Sequence, residues 1–163
     1  MRVAEELRYL ILAIQREGNR LLAAELRPLG VTPSQAEVLR VLSDYGPLTL
    51  TALGELLVCE TGHSPSRLVE RLVAEALVQR DVDPDDRRYI TLRLTTDGVR
   101  LSRRVAEVEE RLYVTIDGLV ADQHVDETLS TLRSVAGAFP AGHAVARRRD
   151  RGAGTAQQTR TTR

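Results

Sequence analysis

The chain has 163 residues, 42% of them apolar and 28% charged, which is one globular domain able to bury roughly 70% of its unfolded surface without disulfides or metal. A single cysteine, Cys59, excludes an internal disulfide and the small secreted disulfide-framework class. No apolar run reaches the ~18 residues of a membrane span, and Glu5 and Glu6 interrupt any signal-like start, so a cytoplasmic protein is expected. Arginine supplies all 23 basic residues against 23 acids, but the zero net charge conceals an asymmetry. Residues 144–163 hold six arginines and one acid, for +5, and the rest of the chain sums to −5.

Val3, Leu7, Leu10, Ile14 and Leu21 recur at helical spacing and predict a helix over 3–26, stopped by Pro28 and Gly30. In the following TPSQ, Thr32 is an N-cap, Pro33 takes the first helical position and Gln35 completes a capping box. That helix runs to the break at Tyr45-Gly46-Pro47. LTLTALGELLV (48–58) begins a short helix capped by Thr49 or Thr51, CETGHS (59–64) reads as a turn, and a strong helix follows over 64–78 with Ser64 as cap and Pro65 first. The order is helix, turn, helix. The period then changes: strands over 79–83 and 89–95 flank PDDRR (84–88), and Ile90, Leu92 and Leu94 form one apolar face of a β-hairpin. Thr95 or Thr96 caps a long helix through Leu101, Val105, Val108, Leu112, Ile116 and Leu119, and a last helix carries Val125, Leu129, Leu132, Ala136 and Phe139. Pro140 and Gly142 are expected to end the ordered part, leaving 144–163 as a disordered Arg-rich tail. The fold class is mainly α with a small β-hairpin wing. A reading head over 32–95 lies between terminal helices over 1–27 and 97–140, within one domain over 1–143.

Catalysis finds little support. His63, His124 and His143 lie in three different elements, and no HExxH, CxxC, GxGxxG or GxxxxGK[ST] pattern occurs. DPDD (83–86) lacks the ligand spacing of a calcium loop and reads as an acidic turn. No enzyme, metal or cofactor is expected. Nucleic-acid binding fits better. The start of the 64–78 helix offers Ser64, Pro65, Ser66 and Arg67, with Arg71 one turn on. Hydroxyls donate to phosphates or base edges, arginine bonds guanine bidentately, and a helix N-terminus attracts anions. The other reading is ordinary capping with surface arginines. Arg87 and Arg88 sit at the hairpin tip with Asp86 close enough to orient one guanidinium, and a projecting arginine suits the electronegative minor groove. A helix-turn-helix followed at once by such a hairpin is a winged helix.

The run DPDDRRYITLRLTTDG (83–98) resembles the wing signature of the multiple-antibiotic-resistance regulator (MarR) family, with Asp86, Arg88, Leu94, Thr95 and Gly98 at the pattern positions. SPSRLVERLVAEALVQR is similar to that family's recognition helix, and the likeness extends over about 1–140. The resemblance implies a homodimeric winged helix-turn-helix repressor or activator with N- and C-terminal dimerisation helices. It further implies double-stranded, inverted-repeat operator DNA as partner and release by a small anionic or phenolic ligand. Ser64, Ser66, Arg67 and Arg71 would then enter the major groove and Arg88 the minor groove. The turn VCETGHS is longer than the family's, which either extends the candidate DNA surface through Thr61, Gly62 and His63 or simply reshapes the loop.

Dimerisation is also expected on physical grounds, because the first helix and the last two carry more apolar surface than a small reading head covers. Tyr9, Tyr45, Tyr113 and His124 are candidate polar handles for the ligand, each equally readable as an interface side chain. Two rivals stand beside the regulator reading. One is a helical protein–protein adaptor without DNA. The other is a redox-responsive regulator acting through Cys59, although Glu60 beside the thiol and the lack of a second cysteine favour an inert Cys59. The +5 tail, if mobile, is expected to lie along DNA phosphates, the alternative being a solvated tail held back by the acidic body.

Overall fold

The computed structural model describes residues 1–58, 64–82 and 89–161, with side chains described as far as Arg151. Seven α-helices and one two-stranded antiparallel hairpin are found among them: α1 Val3–Leu26, α2 Pro33–Tyr45, α3 Leu50–Gly54, α4 Pro65–Ala74, β1 Val78–Val82, β2 Ile90–Leu94, α5 Thr96–Val120, α6 Val125–Ala136 and α7 Pro140–Thr161. Local chemistry places most of the helix starts. The Gln35 N–H donates to Thr32 Oγ1 (3.3 Å) and the Thr32 N–H to Gln35 Oε1 (3.0 Å), the expected capping box. Thr49 accepts from the Ala52 N–H at 3.2 Å and Thr95 from the Gly98 N–H at 3.0 Å, each satisfying one otherwise orphaned donor. Gly46 ends α2 at φ +73°, a conformation costly for a residue with a Cβ.

The core lies in the middle of the chain. Leu26, Val38, Leu39, Val41, Leu53, Leu56, Val69, Leu72, Val78 and Val105 are all fully buried, so α2, α3, α4, β1 and the first half of α5 close on one another. Each such side chain contributes roughly 1.5–3 kcal/mol through apolar burial. Ser102 is the polar member of this set and donates from Oγ to the Leu39 carbonyl across the α2–α5 seam at 3.4 Å. Along the same seam, Arg40 Nε meets Glu109 Oε2 at 3.1 Å. Burial outweighs that arginine and holds the Glu109 carboxyl above its ordinary value.

The hairpin pairs Val78 with Leu94, Arg80 with Leu92 and Val82 with Ile90. A third backbone segment joins it: the Leu48 N–H donates to the Leu92 carbonyl (3.1 Å) and the Leu92 N–H to the Leu48 carbonyl (2.7 Å). This ties the hairpin to the α2–α3 connection. At its other end, Thr95 donates from N to the Leu77 carbonyl (3.1 Å) and from Oγ1 to the Ala76 carbonyl (2.7 Å). Gly98 sits so close to this strand entry that a Cβ on it would overlap the Leu77 carbonyl oxygen. Leu94, Thr95 and Gly98 thus have a shared purpose: they weld the start of α5 to the start of β1.

Three differences from the sequence reading stand out. First, α4 stops at Ala74 rather than running to 78. The Leu77 N–H turns back to the Leu72 carbonyl at 2.9 Å, Ala76 takes φ +55°, and Thr95 captures the freed carbonyls. Tertiary bonding here overrides a good helical sequence. Second, β1 and β2 are each displaced slightly from the expected 79–83 and 89–95.

Third, the expected disordered tail from 144 is corrected: α7 spans Pro140–Thr161, and Pro140 begins this helix instead of ending order. Gly142 lies so close to the Ala136 carbonyl that only a glycine fits, Ala144 is buried, and α7 packs on α6. What the segment lacks in large apolar residues it supplies with arginines. Arg147 Nε donates to the Glu55 carbonyl (3.1 Å), and Arg148 donates to the Leu56 carbonyl (2.7 Å) and to Glu37 Oε1 (2.5 Å).

Outside this core the apolar pattern is unpartnered within the protomer. On α1, Leu10, Ile11 and Ile14 are exposed, Ile14 by 73%. Distal α5 exposes Ile116 and Leu119, the latter by 76%, and Phe139 projects beyond the end of α6. Among the described residues no helix is long and apolar enough to cross a membrane.

Candidate functional site

Helix α4 owes its orientation to a strict division of faces. Leu68, Val69 and Leu72 are buried against α2, α3 and β1, so Arg67, Glu70, Arg71 and Ala74 are left in solvent. Pro65 occupies the first helical position and lies beside α3, 3.7 Å from where a Cβ on Gly54 would be. Ser64 is the N-cap residue, yet its hydroxyl makes no cap bond; it pairs with the Ser66 hydroxyl at 2.8 Å. The first turn of α4 has no acid. Among the described residues no ion pair involves Arg67 or Arg71. The helix start is therefore a small hydroxyl-lined, cationic surface with no acid in its own first turn to oppose the positive end of the backbone dipoles.

The hairpin stands directly after this helix. On its solvent side, Arg93 Nε meets Asp81 Oδ2 at 2.5 Å and Gln79 donates to Asp81 Oδ1 at 3.1 Å; Arg80, on the opposite face across from Leu92, is also exposed. Val82 and Ile90, the last pair toward the tip, are both substantially exposed. The expected tip residues Asp86, Arg87 and Arg88 lie outside the described residues, as do Thr61, His63 and Cys59. Ser64, Pro65, Ser66, Arg67 and Arg71 are thus brought together toward the start of α4, whose other end leads into β1 of the hairpin.

The four candidate ligand handles occupy separate elements. Tyr9 is exposed on α1, with Arg8 over its ring at 5.2 Å. Tyr113 is exposed on distal α5, and His124 is the N-cap residue of α6. Tyr45, at the end of α2, is occupied by α7: its hydroxyl donates to the Arg148 carbonyl at 3.3 Å and Arg151 lies 5.6 Å over its ring. A cavity of about 460 Å³ runs between α6 and α7, lined by Leu129, Leu132, Arg133, Val145 and Arg149, and another of about 290 Å³ lies between α1 and α5 beside Leu21 and Val108. Neither is lined by any of the four handles. No group of three or more His, Cys, Asp or Glu among the described residues is placed to hold a metal ion.

Two residues escaped the sequence reading. Glu70 shares the exposed face of α4 with Arg67 and Arg71, and a carboxylate there can accept from cytosine N4. Glu37 is almost buried in the reading head, where it accepts the Val58 N–H at 2.8 Å as well as Arg148. Its signal was a lone charge inside the apolar run AEVL of α2.

The winged helix DNA-binding domain family matches residues 31–98, the span from the start of α2 to the start of α5. The multiple antibiotic resistance protein MarR of Escherichia coli (strain K12) is 32% identical over 92 residues, which are 56% of this chain and 63% of that protein. The chain's match thus falls just short of two thirds of that relative's length. The uncharacterized HTH-type transcriptional regulator YcgE of Bacillus subtilis (strain 168) is 35% identical over 125 residues, 68% of this chain and 80% of that one. Among solved structures, a mutant MarR from E. coli complexed with operator DNA superposes with a TM-score of 0.66 at 26% identity, covering 86% of this chain and 100% of that one. With its helix-turn-helix, its hairpin wing and these relatives, the chain belongs to the MarR family of winged helix-turn-helix transcriptional regulators.

Proposed function

We propose that the protein is a homodimeric, sequence-specific DNA-binding regulator, acting in the cytoplasm as a repressor that a small anionic or phenolic ligand releases. One observation carries the reading: Arg67, Glu70 and Arg71 form the solvent face of α4, with no acid in its first turn and the hairpin beside it. This helix end enters the major groove, where Ser64, Pro65, Ser66, Arg67 and Arg71 meet bases and phosphates. Thr61 and His63 extend that surface. Arg88, steadied by Asp86 and flanked by Arg87, enters the adjacent minor groove. Similarity to a solved MarR complexed with operator DNA supports DNA as the partner.

The exposed apolar residues of α1, distal α5 and α6 support the dimer, since a face of this size is ordinarily covered. Two-fold symmetry then calls for an inverted repeat with half-sites centred ~10 bp apart. Selection from a random duplex pool, followed by the mass of the complex, tests the reading. An inverted repeat bound by two protomers is expected. A chain that enriches no sequence, or binds as a single protomer, refutes it.

A further inference from the structure

The C-terminal helix does not lie on solvent as a cationic tail would; it is fastened to the reading head by three arginines. Arg147 and Arg148 donate to the carbonyls of Glu55 and Leu56, the residues immediately after α3. A helix end leaves such carbonyls without intrahelical partners. Arg148 also reaches Glu37, whose carboxylate is almost buried and takes the Val58 N–H at 2.8 Å. Arg151 and the Arg148 carbonyl clamp Tyr45 at the end of α2. Val58 lies six residues before Ser64, the N-cap of α4, and Gly54 of α3 is in packing distance of Pro65.

We propose that Arg148 and Glu37 are positioning residues for the recognition helix: α7 acts as a strap that fixes the exit of α3 and, through the packing of α3 on Pro65, the start of α4, without touching DNA. The inference rests on the reading that α4 meets DNA. Physically, Arg148 donates both to the Leu56 carbonyl and to Glu37. Removing it loosens the segment after α3 and lets the almost buried carboxylate draw in water or turn outward. Either motion releases the Val58 N–H. Because Arg147 and Arg148 are engaged with the protein's own carbonyls, they are withdrawn from the phosphate contacts a free tail would make.

The test uses the full-length dimer and the duplex that wild type selects from a random pool. Arg148→Ala, Glu37→Gln and the double variant are compared by fluorescence anisotropy over a range of salt, with hydrogen exchange read at the Val58 amide. Arg148→Ala is expected to weaken binding roughly 2- to 30-fold, the range seen for residues that act through others. The salt slope stays at its wild-type value, since no phosphate contact is lost. Exchange at Val58 speeds up while α5 stays protected. Glu37→Gln added to Arg148→Ala costs less than the two single losses multiplied, because both variants act on the one Arg148–Glu37 contact. Arg148→Lys, which keeps the charge, recovers less at Leu56 than at Glu37 and falls between wild type and Arg148→Ala. The strap is overturned by affinity within twofold of wild type in a folded Arg148→Ala dimer. It is overturned equally by a salt slope flattened by about one to two, which would make Arg148 a phosphate contact. Losses that simply multiply in the double variant also overturn it. A wild-type chain that binds no duplex refutes the reading of α4 instead, and unchanged exchange at Val58 in Arg148→Ala then refutes the strap separately.

Discussion

Replacing Gly98 with alanine sets two effects of opposite sign against each other. Gly98 lies in the first turn of α5 with an ordinary helical backbone, so propensity alone predicts a gain of about 1 kcal/mol. Packing predicts the reverse. The new Cβ would overlap the Leu77 carbonyl oxygen, with the Leu77 carbonyl carbon at 3.0 Å and Leu94 Cβ at 3.4 Å. The obstacle is backbone, which cannot swing aside. Relief requires α5 to move off β1, stretching the Thr95-to-Leu77 and Thr95-to-Ala76 bonds, worth roughly 0.5–1.5 kcal/mol each. The Thr95 cap, about 1 kcal/mol, is strained with them, and residual overpacking adds about 1–3 kcal/mol. After the helical gain is subtracted, the net loss is about 2–6 kcal/mol, a fall in Tm of roughly 4–24 °C for a chain of this size. Thermal and urea unfolding at fixed chain concentration measures it, since the stability of the proposed dimer depends on concentration. A Gly98→Ala protein as stable as wild type, or more so, would show that the α5–β1 weld does not exist as described.

The opposite sign is expected at Ala76, which holds φ +55° with a Cβ: Ala76→Gly relieves about 1 kcal/mol of left-handed strain, and a lower urea midpoint would contradict this. Glu109 carries a pH signature. Its folded carboxyl is raised above the ordinary 4.5 by burial, so the native state holds the proton more tightly than the unfolded chain. Its stabilising contribution is full below 4.5 and is lost as pH rises through the raised folded value. Wild type measured against Glu109→Gln should therefore lose relative stability as pH climbs from 4.5, and a pH-independent difference refutes the assignment. At the wing, Arg88→Ala should flatten the salt slope of DNA binding by roughly one to two, one contact per subunit, and an unchanged slope and affinity would remove the wing from the DNA surface.

Local chemistry with a short reach was legible in the sequence. The Thr32–Gln35 box, the break at Gly46 and the Thr95 cap each depend on residues within four positions, and the hairpin followed from its two-residue period. Features that depend on distant partners were not. The end of α4 is decided by Thr95, nineteen residues beyond Ala76 in sequence, so EALV looked helical to the end. Leu48 pairs as a single residue with Leu92 and leaves no period to detect. Composition misled most at α7: few large apolar residues suggest a solvated tail, but arginine stems and guanidinium bonds to Glu55, Leu56 and Glu37 dock it instead. Of the candidate site, the helix-end residues Ser64 to Arg71 were readable because their buried neighbours Leu68, Val69 and Leu72 set the face. Glu37 was not, since its partner lies 111 residues away.

The central claim is that the exposed face of α4 reads base identity, and base-by-base competition with Arg67→Ala tests it most directly. Each single-base variant of the selected operator competes against the parent duplex for wild-type and Arg67→Ala protein. If Arg67 bonds a base edge, discrimination of about 1–3 kcal/mol disappears at two symmetry-related positions and persists elsewhere. A uniform loss of affinity across all duplexes, which would assign Arg67 to phosphate, or no loss at all, would contradict base reading by Arg67 on this face.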